Sequence, residues 1–477
     1  MEIKKLLIIS AVLSGFMHTV PAQNRLVTYP APQGVELKRD FTVKVRQPGG
    51  EWKAIDTYAV KVNETRGTRH HVELASLSYF DFKGEVEVEV TVNKGDIKTG
   101  RVRPLSYEIT PRIDGSTMTF KLDRPRHLSV EVNGDIFHNL HLFANPIDIH
   151  KPRKQKDKDL IYFGPGLHQL PGDTLNIPSG KTVYVAGGAV VRGCIRAFDV
   201  RDVKILGRGI VHPIGRGEGI HIGNSRNILV EGLITTQCPT GGSDSVTIRN
   251  VKVISSYGWG DGLNVFASNN VLFDSVFCRN SDDCTTVYAT RKGYTGGCRN
   301  ITMKNSTLWA DVAHPIFIGL HGNVEHPDTI ENLNYLNIDI LDHREMQIDY
   351  QGCLAINAGD NNLVRNVRFE NIRIEDFRQG QLVNLRIFLN KKYCQAPGRG
   401  IENILFKDIT YNGKNSEISL IAGYDQDHKI KNIRFENLKI NGVVIYDDIP
   451  GKPKWYKTGD IARFSIGEHV EGVTFTK

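Results

Sequence analysis

Asn366-Val367-Arg368-Phe369, Asn403-Ile404-Leu405-Phe406 and Asn432-Ile433-Arg434-Phe435 repeat one pattern, a polar residue followed by apolar side chains at alternating positions. Toward the N-terminus it returns as Asn332-Leu333-Asn334-Tyr335, Asn300-Ile301-Thr302-Met303, Asn270-Val271-Leu272-Phe273, Ser245-Val246-Thr247-Ile248, Asn227-Ile228-Leu229-Val230 and Asp202-Val203-Lys204-Ile205. The anchors of these nine copies stand 18 to 37 residues apart and drift upward in spacing along the chain. A constant strand separated by stretches of variable length describes coils that share a core strand and carry different loops. One such coil cannot bury its apolar face alone, whereas stacked coils pair in parallel and bury a continuous apolar column. The recurrent Asn fits a corner of each coil, where its amide tolerates left-handed backbone and can hydrogen-bond to the copies above and below. A propeller or leucine-rich repeat fits less well, because the spacing is irregular and the Leu-x-x-Leu-x-Leu signature is absent.

Upstream of Leu160 the texture changes. Phe41-Thr42-Val43-Lys44-Val45 and Val86-Glu87-Val88-Glu89-Val90-Thr91-Val92 alternate with period two, and Leu128 to Val132 runs into an Asn133-Gly134 turn. Such runs predict half-buried antiparallel strands. The first residues combine a charged start, the apolar run Leu6 to Val12 and small residues ending Val20-Pro21-Ala22, the layout of a secretory signal peptide cut after Ala22. That run falls short of the ~20 residues a spanning helix needs. The expected organisation is therefore all-β: a signal peptide over 1–22, a β-sandwich over 23–149, a basic linker over 150–159 and a right-handed parallel β-helix over 160–477. The expected location is secreted or periplasmic, with no membrane span.

Lys and Arg number 60 against 53 Asp and Glu, a formal charge of +7 that informs solubility more than function. The dense basic segment from His150 to Lys158 lacks interleaved aromatics and reads as a linker, with no nucleic-acid partner expected. The seven cysteines, Cys194, Cys238, Cys278, Cys284, Cys298, Cys353 and Cys394, include no C-x-x-C pair, which argues against a zinc or redox motif. They read as small apolar residues along the solenoid core, an odd number that leaves at least one thiol free while admitting a disulfide or two.

Gly258-Trp259-Gly260-Asp261-Gly262-Leu263-Asn264 and Asn280-Ser281-Asp282-Asp283-Cys284 lie about one coil apart, since Asp261 precedes Asp282 by 21 residues. Either motif alone reads as a turn, but a turn has no reason to place carboxylates in vertical register. Crowded like charges raise at least one pKa, giving a protonated acid beside an ionised base. Glycosidic hydrolysis needs that division of labour. Stacked carboxylates could also hold a hard cation such as calcium, although no cofactor or metal is called for by the leading reading.

With Ala313-His314-Pro315-Ile316-Phe317-Ile318-Gly319, these segments resemble the polygalacturonase-like superfamily of right-handed parallel β-helix glycoside hydrolases, which includes the polygalacturonases and the dextranase and isopullulanase group. The resemblance covers most of 160–477, and the preceding sandwich is closer to the dextranase group. It implies an inverting hydrolase in which Asp282 is the general acid and Asp261 and Asp283 hold the attacking water. His314, at the position of the His in the family's Gly-His-Gly segment, would tune the acid or contact substrate. Its bland alternative is a satisfied histidine at a strand end. Two departures bear on substrate. Trp259-Gly260-Asp261 replaces the family's Asn-Thr-Asp, and Gln347-Ile348-Asp349 stands where its Arg-Ile-Lys is expected, with Arg344 nearby. Loss of those cations favours a neutral α-glycan, as in dextranases, over pectin. Further cleft candidates are Trp259, Tyr288, Arg291 and His321, with Trp309 as readily a packing residue. The expected partner is thus a polysaccharide or oligosaccharide substrate. The competing readings are a polygalacturonase or rhamnogalacturonan-type pectin hydrolase, a calcium-dependent polysaccharide lyase and a glycan-binding solenoid without catalysis.

Overall fold

The computed structural model describes residues 25–152, 157–256, 258 and 260–477. The stretch read as a signal peptide, residues 153–156 of the basic segment and Trp259 lie outside the described residues.

Two sheets face each other in the N-terminal part. One contains Arg25–Thr28, Tyr58–Arg66, Arg69–Lys83, Gly100–Arg103, Arg126–Val132 and Asp135–Pro146; the other contains Phe41–Arg46, Lys53–Ile55, Val86–Val92, Arg112–Asp114 and Thr117–Leu122. Val43, Val45, Val88 and Val90 from one sheet meet Phe80, Phe82, Leu128 and Leu140 from the other, so alternating side chains form a shared core. Tyr58–Arg66 and Arg69–Lys83 form a long hairpin that reaches beyond the sandwich toward the solenoid.

From Leu160 to Thr476 the chain winds through a single sheet system of 29 strands. Apart from the terminal hairpin of Leu438–Ile440 with Val443–Ile445, neighbouring coils pair in parallel. The register follows the repeat: Val246, Val271, Ile301, Leu333, Val367, Ile404 and Ile433 stack in one column. Each apolar residue that follows an anchor thereby lands on its counterpart, burying the column that no single coil could bury.

All nine repeat anchors have left-handed backbone, with φ between 55° and 60°. Their side chains form a rail: Asn300 donates to Asn270 at 3.0 Å, Asn332 to Asn300 at 3.3 Å, Asn366 to Asn332 at 3.2 Å, Asn403 to Asn366 at 3.1 Å and Asn432 to Asn403 at 3.1 Å. A second rail, Asp274–Asn305–Asn337–Asn371, lies four or five residues further along the same strands. Inside the coils Tyr335, Phe369, Phe406, Phe435 and Phe475 stack ring on ring at 4.7 to 5.3 Å. All seven cysteines are buried and none is disulfide-bonded.

Buried charge joins sandwich to solenoid. Arg279 pairs with Asp311 at 3.1 Å, both side chains 0% exposed, and donates to Asn139 at 2.8 Å. Arg208 pairs with Asp81 at 3.0 Å in the same way. Trp309 lies within this interface, its ring 4.0 Å from the Arg279 guanidinium and 5.2 Å from that of Arg103. It packs and does not face a cleft, because Arg103 and His141 of the sandwich cover it together with Arg279 of the solenoid.

Candidate active site

Gly262 is where the carboxylate motif is locked to its neighbour coil. A Cβ there would lie 2.3 Å from the Cys284 carbonyl oxygen and 2.6 Å from Asn280 Oδ1, so only glycine allows the approach. The Gly262 N–H donates to the Asp283 carbonyl at 2.9 Å, and Leu263 pairs with Thr285. The coil step here is thus 22 residues and Asp261 lies under Asp283, with Asp282 beside them. The sequence spacing matched Asp261 with Asp282, one residue away. On the other side the Cys284 N–H donates to the His314 carbonyl at 2.8 Å and Thr286 pairs with Phe317, which puts His314 above Asp283. Asp261, Asp283 and His314 form a column at the entry to the strands Leu263–Phe266, Thr285–Tyr288 and Ile316–Gly319.

The three carboxylates have different surroundings. Three donors converge on Asp283: the His314 N–H at 3.1 Å, the His314 ring Nδ1 at 2.7 Å and the Tyr288 hydroxyl at 3.3 Å. Asp261 accepts one bond from Asn264 at 2.6 Å. Burial first, and the Asp283 charge second, push its carboxyl up to about 7. Asp282 accepts only the Asp283 N–H, at 3.0 Å, among the bonds of the described residues. Burial, then Asp261 and Asp283, hold its carboxyl well above the ordinary range, with Glu345 adding to the effect. The cluster therefore keeps a proton near neutral pH, and Asp282 is the best placed to carry it.

His314 is fully buried. Its Nδ1 faces the Asp283 carboxylate, and its Nε2 lies 2.6 Å from the Tyr350 carbonyl oxygen. Both acceptors lack protons of their own, so both ring nitrogens donate and the ring is an imidazolium. Burial alone would lower its pKa, but Asp283, Glu345 and the Tyr350 carbonyl outweigh it and raise it above the ordinary value. Of the roles read for His314 from the sequence, the structure places it in a buried ion pair with the candidate catalytic carboxylate Asp283.

Among the other sequence candidates, Tyr288 is brought to the site through its bond to Asp283. His321 packs edge-on against Tyr288 at 4.9 Å between ring centres, one layer behind the carboxylates. Burial, with Arg291 contributing, pushes its pKa down to about 3, so it is a neutral packing partner. Arg291 is exposed at a tight turn, backbone-paired with Tyr294. Arg344 is engaged elsewhere: it donates to the Thr65 carbonyl at 2.7 Å and to the Gly67 carbonyl at 3.4 Å.

Sequence reasoning missed Glu345 and Tyr350, which reach His314 and Asp282 from a later coil and carry no motif. It also missed cations on both sides of the carboxylates. A groove of about 370 Å³ toward the first coils is lined by Arg196, Glu218, His221, Phe266, Lys292 and Tyr294. Another of about 420 Å³, toward the later coils, includes Asp349, Arg386, Lys391 and Tyr424. Near it Lys392 and Tyr393 both donate to Gln347 Oε1, at 3.0 and 2.9 Å.

Residues 218–451, which contain the whole column, match the family model of glycosyl hydrolases family 28. That match takes in just under half of the chain, and this part of the solenoid is similar to those hydrolases. The chain is 25% identical over 186 residues to a probable endopolygalacturonase D of Neosartorya fischeri, a match covering 38% of this chain and 35% of that protein. The corresponding protein of Emericella nidulans is 23% identical over 186 residues, covering 38% of this chain and 32% of that protein. The chain thus spans about a third of the length of these relatives. The fold is shared with Dex49A from Penicillium minioluteum, at a TM-score of 0.58 and 12% identity over 94% of this chain and 96% of that one.

Proposed function

We propose that the protein is a secreted O-glycosyl hydrolase that cleaves a polysaccharide or oligosaccharide with inversion at the anomeric carbon. The observation that carries this is the column of Asp261, Asp283 and the His314 imidazolium, with Asp282 beside it and poorly hydrogen-bonded. Asp282 gives its proton to the glycosidic oxygen as the bond from that oxygen to the anomeric carbon breaks. Asp261 and Asp283 hold a water on the opposite face and take its proton as the water oxygen bonds to that carbon. His314 keeps Asp283 fixed and balances its charge. Asp282→Asn should lower kcat by about 10³-fold or more with KM changed little, because only transition-state protonation is removed. Full activity in that variant would overturn the assignment.

On substrate, Gln347, Ile348 and Asp349 support a neutral α-glycan, since none of them is a cation. A pectic chain is the second reading, favoured by Arg196 and Lys292 in one groove and Arg386 and Lys391 in the other. Product analysis on dextran, pullulan, polygalacturonate and rhamnogalacturonan separates the two. A product with an unsaturated sugar would instead indicate a lyase.

A further inference from the structure

We infer that the N-terminal sandwich is part of the active-site architecture, and that Arg344 is the positioning residue through which its hairpin holds the His314 imidazolium. The chain of contacts is continuous. The Asn63 N–H fixes the hairpin to Asp311 at 3.2 Å, and the carbonyls of Thr65 and Gly67 near its tip accept from the Arg344 guanidinium. The Arg344 carbonyl accepts from the Ala313 N–H at 2.8 Å, while the neighbouring His343 ring donates through Nδ1 to the Ala313 carbonyl at 2.7 Å. Ala313 is held at φ 61° by these two bonds, a left-handed conformation that costs a non-glycine residue about 1 kcal/mol or more. The next residue is His314.

Arg344 also begins the loop that presents the other partner of His314. Glu345 accepts from the Gln347 N–H at 2.8 Å, the Tyr350 N–H donates to the Gln347 carbonyl at 2.8 Å, and the Tyr350 carbonyl accepts from His314 Nε2. The crest of this loop is open to solvent, with Ile348 66% exposed. Lys392 and Tyr393 tie its middle at Gln347, Gln381 and Arg386 hold the carbonyls of Ile348 and Asp349, and its first residue is clamped by a segment some 279 residues away in sequence. Arg344 is thereby a link, occupied by backbone carbonyls, and does not serve as a substrate cation.

The groups that face His314 are Asp283, Glu345, His343 and Tyr350. Burial pushes the His343 pKa down to about 3, so it stays neutral and leaves the ring's charge to the two carboxylates and the Tyr350 carbonyl. Loosening that carbonyl removes a bond to the charged form and should lower the His314 pKa.

The test compares full-length wild type, Arg344→Lys, Arg344→Met and a chain in which residues 65–70 are replaced by Asn-Gly. The readout is the His314 titration by NMR of histidine-labelled protein, assigned with His314→Gln. Arg344→Met and the shortened hairpin should each lower the His314 pKa by about 0.5–1 unit, within the range one hydrogen bond to a charged group supports. Arg344→Lys, which keeps one donor, should restore much of it. An unchanged titration in Arg344→Met, or in the shortened hairpin if Arg344→Met does not fold, would overturn the inference. A shift in Arg344→Met with none in the shortened hairpin would overturn the role of the sandwich. The inference rests on the hydrolase reading only for its consequence, a fall in kcat; the titration is read without substrate, so failure of one is distinguishable from failure of the other.

Discussion

Asp261→Asn should make the folded protein more stable at pH 8 while abolishing turnover. Moving the carboxyl from its ordinary 3.8 to about 7 is about 3 units, an upper limit of ~4 kcal/mol at 1.36 kcal/mol per unit. Part of that is mutual repulsion shared with Asp283, which leaves about 2 kcal/mol as the expected gain. The sign follows from the direction of the shift. The folded state binds the proton more tightly than the unfolded chain, so stability is fully present below the unfolded value and falls as pH rises toward the folded one. Asparagine occupies the same space, can still accept from Asn264, and never ionises. Thermal unfolding of wild type and variant at pH 4.5 and pH 8 isolates the effect. The variant midpoint should be higher by about 2–4 °C at pH 8 and within about 1 °C at pH 4.5, scaled for a chain of this size. A variant that is less stable at pH 8, or equally shifted at both pH values, would refute the burial and crowding of Asp261 on which the acid and base assignment depends.

The same ionisation should govern the rate. For the wild type kcat/KM should rise with pH through about 7 as Asp261 loses its proton, then fall at higher pH as Asp282 loses the proton it donates; a flat profile between pH 5 and 8 would contradict this. Asn332→Ala removes two rungs of the outer rail and places a Cβ-bearing residue with no local hydrogen bond at φ 60°, so it should cost about 1–2 kcal/mol in denaturant unfolding, with Asn332→Gly costing less because glycine adopts that backbone freely.

The solenoid was legible because its two determinants are local. Asn300 or Asn432 can be recognised as a left-handed corner without knowing what lies above it, and the alternation that follows fixes which side chains face inward. Asp261, Asp282 and Asp283 were legible for a related reason: their spacing is close to one coil, and His314 followed from its place in a family-like segment. The exact step was not, because a 21- and a 22-residue coil look alike until the Gly262 N–H is seen to bond the Asp283 carbonyl. Trp309 and Arg344 were beyond reach for a different reason. Their partners, Arg103 in one case and Thr65 and Gly67 in the other, are brought in by the sandwich, and no pattern within a repeat can announce them. Glu345 and Tyr350 lie in a loop whose sequence has no period, so its role is visible only once both ends are placed.

The two asparagine rails have a bearing on how such a protein can change over generations. The strands that carry them keep nearly one length, Cys298–Ala310, Thr329–Asp342, Leu363–Ile374 and Gly400–Tyr411, while the intervening loops carry the growth in repeat spacing. Lengthening a loop whose ends are already pinned adds only a logarithmic entropy penalty, on the order of 0.6 kcal/mol for each doubling. New residues can therefore be inserted beside the carboxylates without disturbing the register that positions them. Heredity can experiment at the mouth of the groove while the spine beneath is copied unchanged, which makes the turn bearing Lys292 a place where differences among descendants should accumulate early, whereas the loop bearing Arg344 to Tyr350 is held by its bonds to the His314 column.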